Sequence, residues 1–130
     1  MEVERNGSHY KFVCDQFITQ LTSGLKTSLN FVERLFAPHA QITLAIYPTN
    51  TIDEVIGFSL FKQKLSVLGI HTMYFDQYQY TCQFLLQNYL VTVHGTAMIN
   101  QQSYRFYNTI VFRKQDYKLI IDHFTLYLFL

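Results

Sequence analysis

Tryptophan is absent, proline and cysteine occur twice each, and only 15% of the 130 residues are charged. Each scarcity excludes something. Ten basic residues, scattered along the chain and offset by nine acidic ones, leave a formal charge of +1, which is no electrostatic footprint for a nucleic-acid duplex or an anionic membrane. Cys14 and Cys82 are too few for a disulfide framework and lack the spacing of a metal-ligand pair. His9, His39, His71, His94 and His123 have no ligand-like spacing either, so no metal or cofactor is expected. No stretch reaches the ~20 apolar residues that span a bilayer. The opening MEVERNGSHY is too polar and acidic for a secretory signal. Together these absences predict an intracellular, soluble chain.

Aromatic side chains are abundant: twelve Phe and ten Tyr outnumber the charged residues, and 49% of the chain is apolar. A chain of this length suits one domain and buries about two-thirds of its unfolded surface. The composition therefore implies more apolar surface than one core hides, to be taken up by a partner, a cavity or both.

Residues 1–7 lack periodicity and are expected to fray, leaving 8–130 as a single domain. Tyr10, Val13, Cys14, Phe17, Ile18 and Leu21 recur at helical spacing, with Gly24 as a stop signal. Leu25, Leu29, Val32, Leu35 and Phe36 repeat the period, with Thr27 or Ser28 as caps and an end imposed by Ala37-Pro38. Ile42, Leu44 and Ile46 then alternate as in a strand, and Pro48-Thr49-Asn50 turns the chain. Residues 51–56 fit a short strand or a helix start, whereas Phe58, Phe61, Leu65 and Leu68 predict a third helix. From Ile70 onward the chain reads as sheet: 71–80, a long strand over 82–99 that bends at Gly95, a hairpin loop at 100–103, a strand from Tyr104, a turn at 114–116 and a final strand over 117–129. In that last strand both parities are apolar, so both faces must be covered. The expected fold is α+β, a curved antiparallel sheet wrapped around three helices.

The segments VTVHGTAMI (91–99), YRFYNTIVFRK (104–114) and YKLIIDHFTLYLF (117–129) resemble the nuclear transport factor 2 family. Tyr117, Asp122 and Phe124 match its aromatic residue and Asp-x-Phe element, and Phe106 and Phe112 its aromatic strand. The resemblance implies a cone-shaped fold. In character it is nearest the small partner subunits of messenger-RNA export receptors, which pair sheet to sheet with a similar domain in a larger subunit. It therefore implies a non-enzymatic adaptor in nucleus and cytoplasm or at the nuclear envelope, a similar domain as hetero- or homodimeric partner, and nucleoporin Phe-Gly repeats as a further ligand. Direct Ran carriage is disfavoured, because Leu44-Ala45-Ile46 and Asn100-Gln101-Gln102 lack the acidic residues of the Ran carrier. Thr125 stands where the export subunits often have an Arg that makes an intersubunit ion pair.

The partner-binding sheet is expected to use Tyr104, Phe106, Ile110, Phe112, Tyr117, Leu119, Ile121 and Tyr127 or their opposite-parity neighbours; periodicity leaves the outward parity open. An interface of ~800 Å² per partner would absorb the apolar surplus. Phe12 and Phe31, off the main helical stripes, are candidates for a Phe-repeat patch. Asp122 is expected to be structural, accepting hydrogen bonds from a helix or loop. The alternative is a small-molecule isomerase or dehydratase using the cone cavity, drawing on Asp76, His94, Asp122 and His123 with Tyr74, Tyr78 and Tyr107. Asp122 and His123, adjacent in a strand, are expected on opposite faces.

Overall fold

A computed structural model describes the backbone of residues 2–130 and the side chains of 9–130, so the expected fraying of 1–7 lies outside the fully described residues. Three helices, α1 (Glu2–Thr27), α2 (Leu29–Glu33) and α3 (Phe58–Val67), accompany six strands: β1 (Phe36–Tyr47), β2 (Thr51–Ile56), β3 (Met73–Leu85), β4 (Asn88–Ile99), β5 (Gln102–Gln115) and β6 (Lys118–Phe129). The strands form one sheet in the order β2-β1-β6-β5-β4-β3. It is mixed rather than wholly antiparallel, because β1 runs parallel to β6 while every other pairing is antiparallel.

The helical stripe read from the sequence is the buried one: Val13, Cys14, Phe17, Ile18 and Leu21 all lie in the core. Gly24 does not stop α1. A Cβ there would come 3.1 Å from Val32 Cγ1, so the glycine serves close packing against α2. The second helix is shorter than its periodicity suggested, because Phe36–Pro38 already belong to β1. Residues 51–56 form the return strand.

The long strand expected over 82–99 is instead a hairpin. Leu86 and Gln87 both adopt positive φ (49° and 71°), turning β3 into β4. Paired positive φ suits a two-residue hairpin turn, for which Asn-Gly is the usual signal; Leu-Gln carries none.

The apolar character of both parities in 117–129 also has a different cause. The register of β6 against β5 shifts, with Val111 opposite His123 but Phe112 opposite Ile121. The extra residue at Asp122 exchanges the parities. Leu119, Ile121, Phe124, Leu126 and Leu128 therefore all point inward and are buried, so β6 does not need cover on both sides for the reason its pattern suggested.

The interior is packed with rings. Phe17 stacks on Phe112 at 3.9 Å between centroids, Phe112 on Tyr89 at 4.7 Å, and Phe75 on Phe106 at 4.1 Å. Such pairs add directional attraction to the burial of their area.

Cys14 and Cys82, expected to be unpaired, form a disulfide with Cα atoms 6.4 Å apart. It ties α1 to the edge strand β3. Tyr10 stacks on Phe84 and donates to the carbonyl of Cys82, and Tyr80 donates to Asp15 along the same seam.

A candidate partner-binding face

Most residues expected on the partner-binding sheet lie on its other side. Phe106, Ile110, Phe112, Leu119 and Ile121 face inward beneath the helices and are buried in the core. Tyr104 is half-buried against that core. Tyr117 sits in the β5–β6 turn, 98% exposed. Of the eight, Tyr127 alone belongs to the outer face. The reason is parity: the helices cover the row containing the larger apolar residues, which leaves the opposite-parity neighbours outside.

That outer row is an aromatic series crossing four strands. His94 of β4 stacks near Tyr107 of β5 at 6.4 Å, and Tyr107 meets Tyr127 of β6 edge-on at 6.1 Å. Two residues along β6, Phe129 stacks on Tyr47 of β1 at 5.6 Å. The Arg105 guanidinium lies 5.9 Å over the Phe129 ring. Tyr107 and Phe129 remain 40% and 42% exposed. Thr92, Thr96, Thr109 and Thr125 fill neighbouring outward positions and are half-buried. Threonine stiffens a strand without adding charge, so this face is uncharged over much of its width.

A groove of about 620 Å³ opens within the series, lined by His94, Gly95, Arg105, Tyr107, Thr109, Tyr127 and Phe129 among others. Gly95 shapes it. With φ at +152° it lies opposite Tyr78 of β3, next to the register shift between Phe75 and Gln77. A Cβ on Gly95 would collide with the Gln77 carbonyl, so the sheet bends there only because the residue has no side chain.

Asp122 accepts a hydrogen bond from Arg113 Nε at 2.9 Å on the outer side of β5. Its partner is thus a neighbouring strand, where a helix or loop was expected. His123 lies on the same outer side, lining a small cleft with Asp122, His39 and Val111; the bulge cancels the opposition that simple alternation predicts. Phe124 faces inward, 5.3 Å from Phe36 and 5.9 Å from Phe61.

The groups named for a cavity enzyme are spread over several places in the fold. His94, Asp122, His123 and Tyr107 point away from the helices, Asp76 is the exposed extra residue of the β3 irregularity, Tyr78 is exposed, and Tyr74 lies under the Lys26 ammonium at 5.8 Å. Phe12 and Phe31 are both exposed, but the groove beside Phe31 is bordered by Arg34, Tyr117 and residues 20–27 and does not reach Phe12.

One buried polar group escaped the periodicity. Asn108 interrupts the inward row between Phe106 and Ile110, is fully buried, and donates from Nδ2 to the Thr125 carbonyl at 2.8 Å.

The hydrogen bond to the Asp15 carboxylate pushes the Tyr80 hydroxyl up to about 12, and burial raises Tyr89. Because the neutral form of Tyr80 is the one the fold favours, its contribution is fully present below the ordinary value near 10 and is lost as pH rises towards 12. Ultraviolet titration should find a tyrosine that ionises near pH 12 and that disappears in Tyr80→Phe; a wild-type curve unchanged by that substitution would contradict the assignment.

No family model matches the sequence, and no curated protein matches it. Solved structures do match the fold, which is nuclear transport factor 2-like. A chain of the C. albicans Mtr2-Mex67 M domain complex superposes with a TM-score of 0.72 at 11% identity, over 92% of this chain and 94% of that one. An NTF2-like protein of unknown function from Pseudomonas putida gives 0.71 at 15% identity, over 92% and 87%. The yeast UBP3-associated protein BRE5 gives 0.64 at 15% identity, over 88% and 92%.

Proposed function

We propose that this chain, which has the nuclear transport factor 2-like fold, works as a non-enzymatic adaptor that pairs through its outer sheet face with a protein carrying a similar domain, as the small subunit of a larger messenger-RNA export receptor. The carrying observation is the uncovered aromatic series His94, Tyr107, Tyr127, Phe129 and Tyr47. Tyr is enriched at interface hot spots, where it buries a large, rigid ring at low conformational-entropy cost. The fold it shares with a chain of the Mtr2-Mex67 complex supports a sheet-borne protein partner over a small molecule.

The mechanism is binding. Apposition of a second sheet removes the exposed rings from water, and the complex becomes the stable species. Nucleus and cytoplasm are reducing compartments in which a pair such as Cys14 and Cys82 is kept as thiols; in that setting the fold stands on its aromatic core.

The test is affinity purification of the native protein, followed by size analysis of the chain alone. A partner at near-equal amount is expected. A well-folded monomer at micromolar concentration with nothing co-purifying would end the reading. Tyr107→Ala and Tyr127→Ala should each weaken the complex about 30-fold or more, the ~2 kcal/mol of an interface hot spot, with little change in the melting temperature of the free chain. Equal affinity for wild type and both variants would exclude this face as the binding surface.

A further inference from the structure

We infer that the free edge of β3 is a docking site for an extended, uncharged segment of a partner protein, which adds to the sheet as a further strand. The sheet has two edges, β2 and β3, and they differ in kind. β2 has 6 residues, among them Asp53 and Glu54, the sort of charge that keeps an edge from pairing with another chain. β3 has 13 residues, and from Gln77 to Leu85 none is charged and none is proline. Gln79, Thr81 and Gln83 are exposed along it. A long, uncharged, exposed edge is a template for main-chain pairing.

The register shows which groups are on offer. The turn at Leu86-Gln87 closes on the pair Leu85 and Asn88, and in a two-residue hairpin the closing pair exchanges its main-chain hydrogen bonds. Leu85, Gln83, Thr81 and Gln79 therefore bond to β4, whereas Phe84, Cys82, Tyr80 and Tyr78 aim N–H and C=O away from the sheet. The Cys82 carbonyl agrees with this, since it accepts a hydrogen bond from the Tyr10 hydroxyl of α1 at 3.3 Å. On the helix side an incoming strand meets Tyr80 and Phe84, which favours aromatic or aliphatic side chains. On the other side it meets Gln79, Thr81 and Gln83, which favours hydroxyls and amides. A second copy fits this edge poorly. The Cys14–Cys82 and Tyr80–Asp15 bonds fasten α1 against β3, so antiparallel pairing of two β3 edges would bring two helices, each about 10 Å across, beneath strands about 4.8 Å apart. A lone extended segment carries no helix.

The probe is a phage-displayed library of random linear peptides, selected on the immobilised full chain. Selected peptides are expected to be uncharged, with polar and apolar residues alternating. N-methylation should weaken binding about tenfold at every second peptide residue, one main-chain hydrogen bond lost each time, and leave the residues between unaffected. Amide exchange of Tyr78, Tyr80, Cys82 and Phe84 should slow on binding, while that of Gln79, Thr81 and Gln83, already bonded to β4, changes little. Tyr80→Pro removes an outward N–H and should bind more weakly than Tyr80→Phe, which keeps it. If Tyr80→Pro does not fold, the N-methyl series and the exchange data decide. Tyr10→Phe, which frees the Cys82 carbonyl, should bind no more weakly than wild type. Selection of no peptide, N-methyl sensitivity without a period of two, or protection that appears elsewhere would overturn the inference. So would slow exchange of those four amides in a self-associated chain without peptide, which would make the occupant a second copy. The adaptor reading, tested at Tyr107 and Tyr127 on the outer face, stands or falls separately.

Discussion

Reduction of the Cys14–Cys82 bond is expected to lower the stability of the isolated chain by about 4 kcal/mol. The bond closes a loop with a sequence separation of 68, and the entropy withheld from the unfolded chain grows with the logarithm of that length. Other contacts tying α1 to β3 include the Tyr10–Phe84 stack, the Tyr10 hydrogen bond to Cys82, the Tyr80–Asp15 bond and the Lys26 ammonium over Tyr74, each contributing about 1 kcal/mol. Domains of this size have only about 5–15 kcal/mol in total. Urea denaturation with and without dithiothreitol should show a clear fall in midpoint, and Cys14→Ser/Cys82→Ser should match the reduced protein in both conditions. Coincident curves would show that the bond contributes nothing. The reduced state is also the one that tests the proposed location, since a chain unfolded at 37 °C without its disulfide could not serve as a nuclear or cytoplasmic adaptor.

Gly95→Ala is expected to cost at least about 3 kcal/mol, combining a backbone conformation unsuited to an L residue with a main-chain clash. The added Cβ would collide with the Gln77 carbonyl and lie 2.8 Å from Tyr78 Cα. Both belong to a strand held in register on this side of the sheet, so neither withdraws without breaking β3–β4 pairing. Gly69→Ala is the control: its φ is +77° but nothing lies within 4 Å of the added methyl, so it meets only the conformational cost of about 1 kcal/mol. Thermal melts should separate the two clearly. If Gly95→Ala melts with Gly69→Ala, the bend is not sterically set. Where Gly95→Ala still folds, the displaced β3–β4 ribbon reshapes the groove at Arg105, and partner affinity should fall as well.

Much of the fold was legible. Apolar side chains three and four apart on α1 and α3, alternation in β1 and β5, and the Pro48-Thr49-Asn50 turn are local patterns, and local packing obeys them. Gly95 was recognisable as the bend because a glycine inside a strand has few other uses. The misreadings share a cause. Leu86-Gln87 turns the chain without turn chemistry, because the paired strands β3 and β4 impose the positive φ. Asp122 looked like an ordinary strand residue, yet one extra residue there reverses every side chain that follows. Cys14 and Cys82 gave no sign of pairing, since only the placement of α1 against an edge strand brings them together.

By itself, then, the sequence determined an α+β chain with a curved sheet, an aromatic surplus and too little charge to solvate all its strands, because composition and period are properties of the chain. Tertiary structure decided which parity faces out. Side-chain direction in a sheet depends on bulges and register as well as on alternation: the helices cover the row of Phe106, Ile110, Phe112, Leu119 and Ile121, the bulge at Asp122 turns Tyr127 and Phe129 out of that row, and the candidate surface becomes His94, Arg105, Tyr107, Tyr127 and Phe129.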